Sequence, residues 1–253
     1  IHRRRYVVLR HLAGRDQVRH RRQDVRAIDA VLFAAKYEVV AGRAPRGLLV
    51  DFDIAHAALD RFLAAGKSGE MDFLPRTAAV RKQPAQMLPG ARSLLVAAVP
   101  YTGEPGPVAR YARTRDYHTV IHQRLIALER RLHELLPGVA TLICVDTKPV
   151  LERSAAALAG LGFLGKHGCL IIPGLGSYVL LGEILTTAEL SSRPSGPEFT
   201  ALPKSPPWDA CGACTRCLDA CPTAAFDAPG ELDPRRCISY LTIEHRGEIA
   251  EPL

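Results

Sequence analysis

Residues 211–222 read CGACTRCLDACP, so Cys211, Cys214, Cys217 and Cys221 stand in a C-x2-C-x2-C-x3-C-P run closed by Pro222. Cluster iron takes thiolate ligands. Spacing this tight lets one short loop wrap a cubane corner, while the fourth cysteine leaves on a helix toward a second cluster. Zinc asks instead for two separated pairs or for histidine partners, and His245 is the only histidine C-terminal to the run. The predicted chemistry is therefore electron transfer through [4Fe–4S] iron. Cys237 extends the set, whereas Cys144 and Cys169 fall in apolar, strand-like segments where a thiol usually acts as a small hydrophobe. Two all-cysteine clusters need more thiolates than the seven the chain holds. Either a second cysteine run belongs beyond Leu253 and the chain is C-terminally truncated, or a single cluster is completed by Cys237 or by a ligand other than cysteine.

Something must hold that loop against a core. Ile54, Ala57, Ala58, Phe62 and Leu63 make a helical stripe, with Asp53 as its cap and Gly66 as its stop. Ser93–Tyr101 (SLLVAAVPY) reads as a buried strand ended by proline. Asp116 caps a helix over 117–136 that places Ile121, Leu125, Leu128, Leu132 and Leu135 on one face, closed by Pro137-Gly138. TLICV at 141–145 reads as a strand, 149–160 as a helix with proline in its first turn, and 169–173 and 178–186 as strands joined in a hairpin through PGLG. Residues 31–40 fit a short helix or a strand equally. Alternating strands and helices predict an α/β (α+β) layered core. The predicted organisation is a basic, atypical segment at 1–50, a core at 51–190, a Pro-rich linker at 191–207 with five prolines between 191 and 210, and an incomplete ferredoxin-like iron–sulfur module at 208–253.

The net charge of +7 is uneven: residues 1–50 carry twelve Lys/Arg and four Asp/Glu, and the remainder is close to neutral. The basic start reads first as a solvated arm and second as a nucleic-acid contact. No apolar run reaches the roughly 20 residues of a membrane span, and no secretory leader is evident. Metal ligation rather than disulfides, and a cytoplasmic protein without a membrane partner, are expected.

Several separated stretches together resemble the epoxyqueuosine reductase family: GEMDFLPR at 69–76, RDYH at 115–118, VDTKPVLER at 145–153, AGLGFLGKHG at 159–168, GSYVLLGEILT at 176–186, the cysteine run with its TAAF extension, and LDPRRCISYLTIE at 232–244. The resemblance implies a cobalamin-binding core related to reductive dehalogenases and two [4Fe–4S] clusters that feed electrons to cobalt. It also implies a tRNA partner carrying epoxyqueuosine in its anticodon, reduced to queuosine, and an external electron donor. It places the acid at Asp146 and cobalamin contacts at Arg81, Asp146, Lys166 and Leu181, with Cys211, Cys214, Cys217, Cys221 and Cys237 on iron. Residues 1–50 do not look like the family's usual start, and neither a second cysteine run nor a helical-repeat tail follows.

On the residues alone, Asp146 reads first as the cap of the next helix. Its place after an apolar strand also suits a proton donor, since ligands gather at the carboxyl ends of strands in open sheets. A carboxylic acid acting at neutral pH needs desolvation or a nearby anion to keep its proton. Arg81 and Lys166 read as surface charges or as holders of a cofactor's amides and phosphate. Gly162 and Gly165 suit close backbone approach to a macrocycle, Tyr117 and His118 line a cavity or merely begin a helix, and His167 is a remote candidate for cobalt. Arg110, Arg113 and Arg115, interleaved with Tyr111 and Tyr117, form the best internal RNA patch. Two competing readings are a cobalamin-dependent reductive dehalogenase and an electron-transfer module without its own substrate; the long core speaks against the second.

Overall fold

The computed structural model describes residues 31–36, 50–113, 115–190 and 208–249. In chain order, β1 (Val31–Lys36) is followed by α1 (Val50–Ala64), α2 (Phe73–Lys82), β2 (Ser93–Pro100), α3 (Tyr117–Leu135) and β3 (Thr141–Cys144). Then come α4 (Glu152–Leu158), the short β4 (Phe163–Leu164) and β5 (Leu170–Ile171), and β6 (Val179–Thr186). The cysteine-rich part holds α5 (Arg216–Asp219), β7 (Phe226–Ala228), β8 (Glu231–Leu232) and α6 (Ile238–Ile243). The mixture of helix and sheet is as expected. The ambiguous segment at 31–40 contains a strand, and the rest of residues 1–49, like the Pro-rich 191–207, lies outside the described residues.

Four strands form one sheet in the order β1-β2-β6-β3, every neighbour antiparallel. Alternation along the strands sorts the core onto two faces. Leu94, Val96 and Ala98 of β2, with Leu185 of β6 and Cys144 of β3, meet Ala155 and Ala156 of α4. Leu95, Ala97 and Val99, with Ile184, meet Ile121, Leu125 and Leu132 of α3. Both faces being covered explains why β2 reads as an unbroken apolar run. Gly182 faces α3, where an added Cβ would press on the side chains of Ile121 and Leu125, so glycine lets that helix approach.

Asp116 caps α3 as expected, its side chain accepting the His118 N–H at 3.0 Å. Other expectations need correction. Asp53 lies inside α1, which begins at Val50, so it is not the cap. Leu135, the last residue of α3, is half exposed rather than buried. The helix expected over 149–160 is α4, one turn shorter at its start because Pro149 and the residues beside it form the loop leading in. The strands at 169–173 and 178–186 do not form a hairpin. β5 pairs with β4, and β6 pairs with β2 and β3, leaving a lone Ile172–Gly176 bridge across the PGLG turn. Cys169 is exposed rather than buried, while Cys144 is buried as foreseen.

The cysteine-rich part rests on the core through named contacts. Lys67 pairs with Asp227 at 2.8 Å. Glu70 accepts from His245 Nδ1 at 2.7 Å and from the Arg246 N–H at 2.9 Å, and its own N–H donates to the Tyr240 hydroxyl at 2.9 Å. Gly69 has φ +54 and lies against the Tyr240 ring, with no room for a Cβ, so the turn that presents Glu70 requires glycine.

Candidate active site and iron–sulfur loop

β3 ends at Cys144, and two residues later the chain turns through Asp146 at φ +52, a left-handed conformation that a non-glycine residue seldom adopts. Its side chain is exposed and its surroundings are polar. His118 Nε2 lies 3.1 Å from Asp146 Oδ2, and His118 Nδ1 lies 2.8 Å from Asp116 Oδ1. Tyr117 donates its hydroxyl to Asp146 and stacks on His118 with ring centroids 4.0 Å apart. Burial, then the Asp146 carboxylate, push the Tyr117 phenol well above its ordinary range. The hydrogen bond with Asp146, then that with Asp116, raise the His118 pKa against the opposing effect of burial.

The Asp146 backbone N–H donates to Glu152 Oε1 at 3.1 Å, so the first residue of α4 closes the loop that Asp146 opens. Burial, helped by the Asp146 carboxylate, pushes Glu152 up to about 7. Arg81, at the end of α2, donates to the Val150 carbonyl at 3.2 Å and to the Thr77 hydroxyl at 3.1 Å. Burial lowers its pKa, and the charges of Glu152 and Asp146 oppose that. Beneath them Glu183 of β6 stands in register with Val96 and Cys144, fully buried, with neither carboxylate oxygen hydrogen-bonded. Desolvation, then the charge of Glu152, raise its pKa strongly. Burial likewise drives the Cys144 thiol up to about 12, so it behaves as the small hydrophobe foreseen.

An aromatic series leads to this cluster. Tyr178 meets Tyr101 edge-on at 5.6 Å, Tyr101 meets Tyr111 at 6.3 Å, and Tyr111 meets Tyr117 at 5.7 Å. The Arg110 guanidinium sits 4.4 Å above the Tyr178 ring. Of the expected basic patch, Arg110 is thus committed to an aromatic face and Arg113 donates to the Glu104 carbonyl.

Arg81 and Asp146 therefore converge on Glu152, while Lys166 and Leu181 are engaged elsewhere. Lys166 Nζ donates to the Gly212 carbonyl at 2.7 Å, inside the cysteine loop, and the Lys166 carbonyl accepts from the Gly230 N–H at 2.7 Å. Leu181 packs in the apolar cluster under α4. Both ring nitrogens of His167 are occupied, by the Cys169 N–H and by the Ser177 hydroxyl. The tight space at Gly162 and Gly165 is filled by Ile171 and, at Gly165, also by His167. Hollows lined by Ala79, Lys82 and Gln83, and by Glu70, Arg76 and Glu244, flank α2; neither takes in Asp146, Lys166 or Leu181. Glu152, Glu183, Tyr101 and Tyr178 were missed in the sequence. Glu183 left a signal there, as a lone acid inside an otherwise apolar strand.

The cysteine loop carries its donors in quick succession. Cys211 ends a 3₁₀ turn, Gly212 at φ +52 reverses the chain, and the Cys214 N–H bonds to the Cys211 carbonyl at 3.1 Å. Cys217 rides on α5, and Cys237 caps α6. Cys221 Sγ accepts the Ala225 N–H at 3.3 Å, and this bond lowers its pKa, favouring the thiolate that iron requires. Among the described residues no group of three or more His, Cys, Asp or Glu side chains is placed to hold a metal ion. The fit to a cluster thus rests on the donor type and the loop, with all five thiols free. Among the described residues, too, no helix is long and apolar enough to cross a membrane.

Fold and loop define an iron–sulfur protein of mixed helix and sheet: residues 210–253 match the model for a 4Fe-4S double cluster binding domain. Residues 81–147 match the model described as Epoxyqueuosine reductase QueG, DUF1730. The chain is 44% identical over 197 residues to the epoxyqueuosine reductase of Gloeobacter violaceus, covering 74% of this chain and 57% of that one. It is 40% identical over 220 residues to that of Xanthomonas campestris pv. campestris, covering 82% and 58%. A crystal structure of epoxyqueuosine reductase with a tRNA-Tyr epoxyqueuosine-modified stem loop superposes with TM-score 0.66 at 28% identity, over 87% of this chain and 55% of that one. A Bacillus subtilis epoxyqueuosine reductase, with its aspartate-bearing catalytic loop swung out of the active site, superposes with TM-score 0.65 at 26% identity and the same coverage. The chain belongs to the epoxyqueuosine reductase family and spans somewhat over half the length of these relatives.

Proposed function

We propose that the protein is the part of an epoxyqueuosine reductase that carries the acid and the first cysteines, acting on epoxyqueuosine in a tRNA anticodon. Removing the epoxide oxygen breaks two C–O bonds and forms a C=C bond; two electrons and two protons convert the oxygen to water. Cobalamin, bound in a core related to that of reductive dehalogenases, would supply the reducing power at the reacting carbon. Arg81 and Asp146 are the residues that would hold it, and Cys211, Cys214, Cys217, Cys221 and Cys237 would ligate iron fed by an external donor. The reading divides the chain into a core over 51–190 and a ferredoxin-like module from 208.

The single observation that carries this reading is the setting of Asp146. It is an exposed carboxyl at the carboxyl end of a sheet strand, hydrogen-bonded to His118 and Tyr117 and bordered by Arg81. Asp146 would deliver the proton to the departing oxygen, with His118 and Tyr117 as its orienting partners. A positioned acid contributes about 10²–10⁴-fold. The Asp116–His118–Asp146 chain fixes the imidazole between two carboxylates.

Lys166 would serve electron flow by tying the cysteine loop to the core. The test uses protein purified anaerobically and supplied with cobalamin and reductant, with formation of queuosine on an epoxyqueuosine tRNA stem loop as the readout. Asp146→Asn, which keeps the shape and a polar contact to a corrin but not the acidic proton, should lower turnover by about 10²-fold or more with most of the corrin uptake retained. Equal turnover in the variant removes Asp146 as the acid, and failure to take up a corrin removes the cobalamin reading.

A further inference from the structure

Asp146 works only if its loop stays where the acid is useful, and the backbone there is strained. At φ +52 an aspartate pays a conformational cost that surrounding contacts must offset. The Thr147 N–H turns back to the Val145 carbonyl, and Val150 turns back to Lys148, so the segment is a succession of tight turns. One contact joins the Asp146 backbone to a rigid element: its N–H to Glu152 Oε1, on the first turn of α4. That helix is anchored in turn, since Ala155 and Ala156 are fully buried against the sheet.

We propose that Glu152 is the positioning residue of the acid: its carboxylate grips the Asp146 amide, holds the strained loop in place, and loosens that grip when it takes up a proton. The proposal rests on the reading of Asp146 as the acid and adds the group that places it. Glu152 is partly buried, and charged or titratable groups face it from every side. Arg81 comes from α2, Tyr117 from α3, Cys144 from β3 and Glu183 from β6. Asp146 and Lys148 lie on the loop, and Arg153 is its neighbour on α4. Burial, helped by the Asp146 carboxylate, outweighs the bond from the Asp146 amide and the charges of Arg153 and Arg81, and pushes Glu152 up to about 7. A hydrogen bond to a carboxylate is stronger than one to a neutral carbonyl. The grip therefore tightens as pH rises through that value and relaxes as pH falls below it.

Hydrogen exchange at the Asp146 amide, resolved to the residue in the full chain and expressed as a protection factor, reads this grip without any need for turnover. In the native protein protection should rise several-fold between pH 6 and pH 8. Glu152→Gln keeps an acceptor oxygen but cannot ionise, so its protection should stay near the native low-pH level and be flat across that range. Glu152→Ala should lose about tenfold in protection at pH 8, while amides of β2 remain as protected as before. A native protection factor that does not change with pH, or a pH response kept in Glu152→Gln, overturns the proposal. Should Glu152→Ala disturb the fold, the β2 amides report it, and the native and Gln series still decide. Turnover measured beside it separates the two readings: a pH-dependent grip with Asp146→Asn fully active leaves the latch standing and sinks the acid.

Discussion

Glu183 offers the sharpest test of the core, because a carboxyl with no exposed surface and no hydrogen bond on either oxygen has to remain protonated at neutral pH. In the unfolded chain a glutamate ionises near ~4.3, so between that value and its raised folded pKa folding takes up a proton. The contribution to stability is fully present below the unfolded pKa and is lost progressively as pH rises toward the folded one, at about 1.4 kcal/mol per pH unit. While the folded core keeps that proton, the loss from this one side chain between pH 5 and pH 7 is about 2–3 kcal/mol. Glu183→Gln keeps the shape and a neutral polar group but removes the proton. Urea unfolding of native and variant chains at pH 5, 6, 7 and 8 should show a stability difference that moves in favour of the variant by about 2–3 kcal/mol across the first two units. Glu152, pushed up to about 7 by its own burial, remains in both proteins and largely cancels from the comparison. Parallel curves for the two chains would refute the reasoning, since they would mean that Glu183 ionises in the folded core or gains a partner there.

Two further outcomes follow from the packing and from the cysteine loop. Gly182→Ala places a methyl against Ile121 and Leu125 and should destabilise the chain by about 1–3 kcal/mol in the same urea assay; an unchanged midpoint would mean that α3 can retreat at no cost. Lys166→Met removes the bond to the Gly212 carbonyl, so iron should be lost to a chelator several-fold faster from the reconstituted protein while the fold, read by circular dichroism, is retained; equal loss rates would make Lys166 a bystander of the cysteine loop.

Much of this protein was legible from local pattern. The spacing of Cys211, Cys214, Cys217 and Cys221 is a property of one loop, and the cap at Asp116 and the apolar run of β2 depend on near neighbours, so sequence alone determined them. The family likeness, carried by stretches spread along the chain, was equally visible. Tertiary structure decided the rest. Period-two alternation cannot say which strand lies beside which, and the expected 169–186 hairpin gave way to β4–β5 and β2–β6–β3 pairing. Nor does a lysine's charge reveal what it faces: Lys166 went to a carbonyl of the cysteine loop because β7–β8 and that loop fold back onto it. The grouping of Asp146, Glu152, Arg81, Tyr117 and His118 draws on α2, α3, α4 and the end of β3. Only the three-dimensional chain brings those elements together, because burial against a shared sheet, not separation along the sequence, sets the distances at which their charges act.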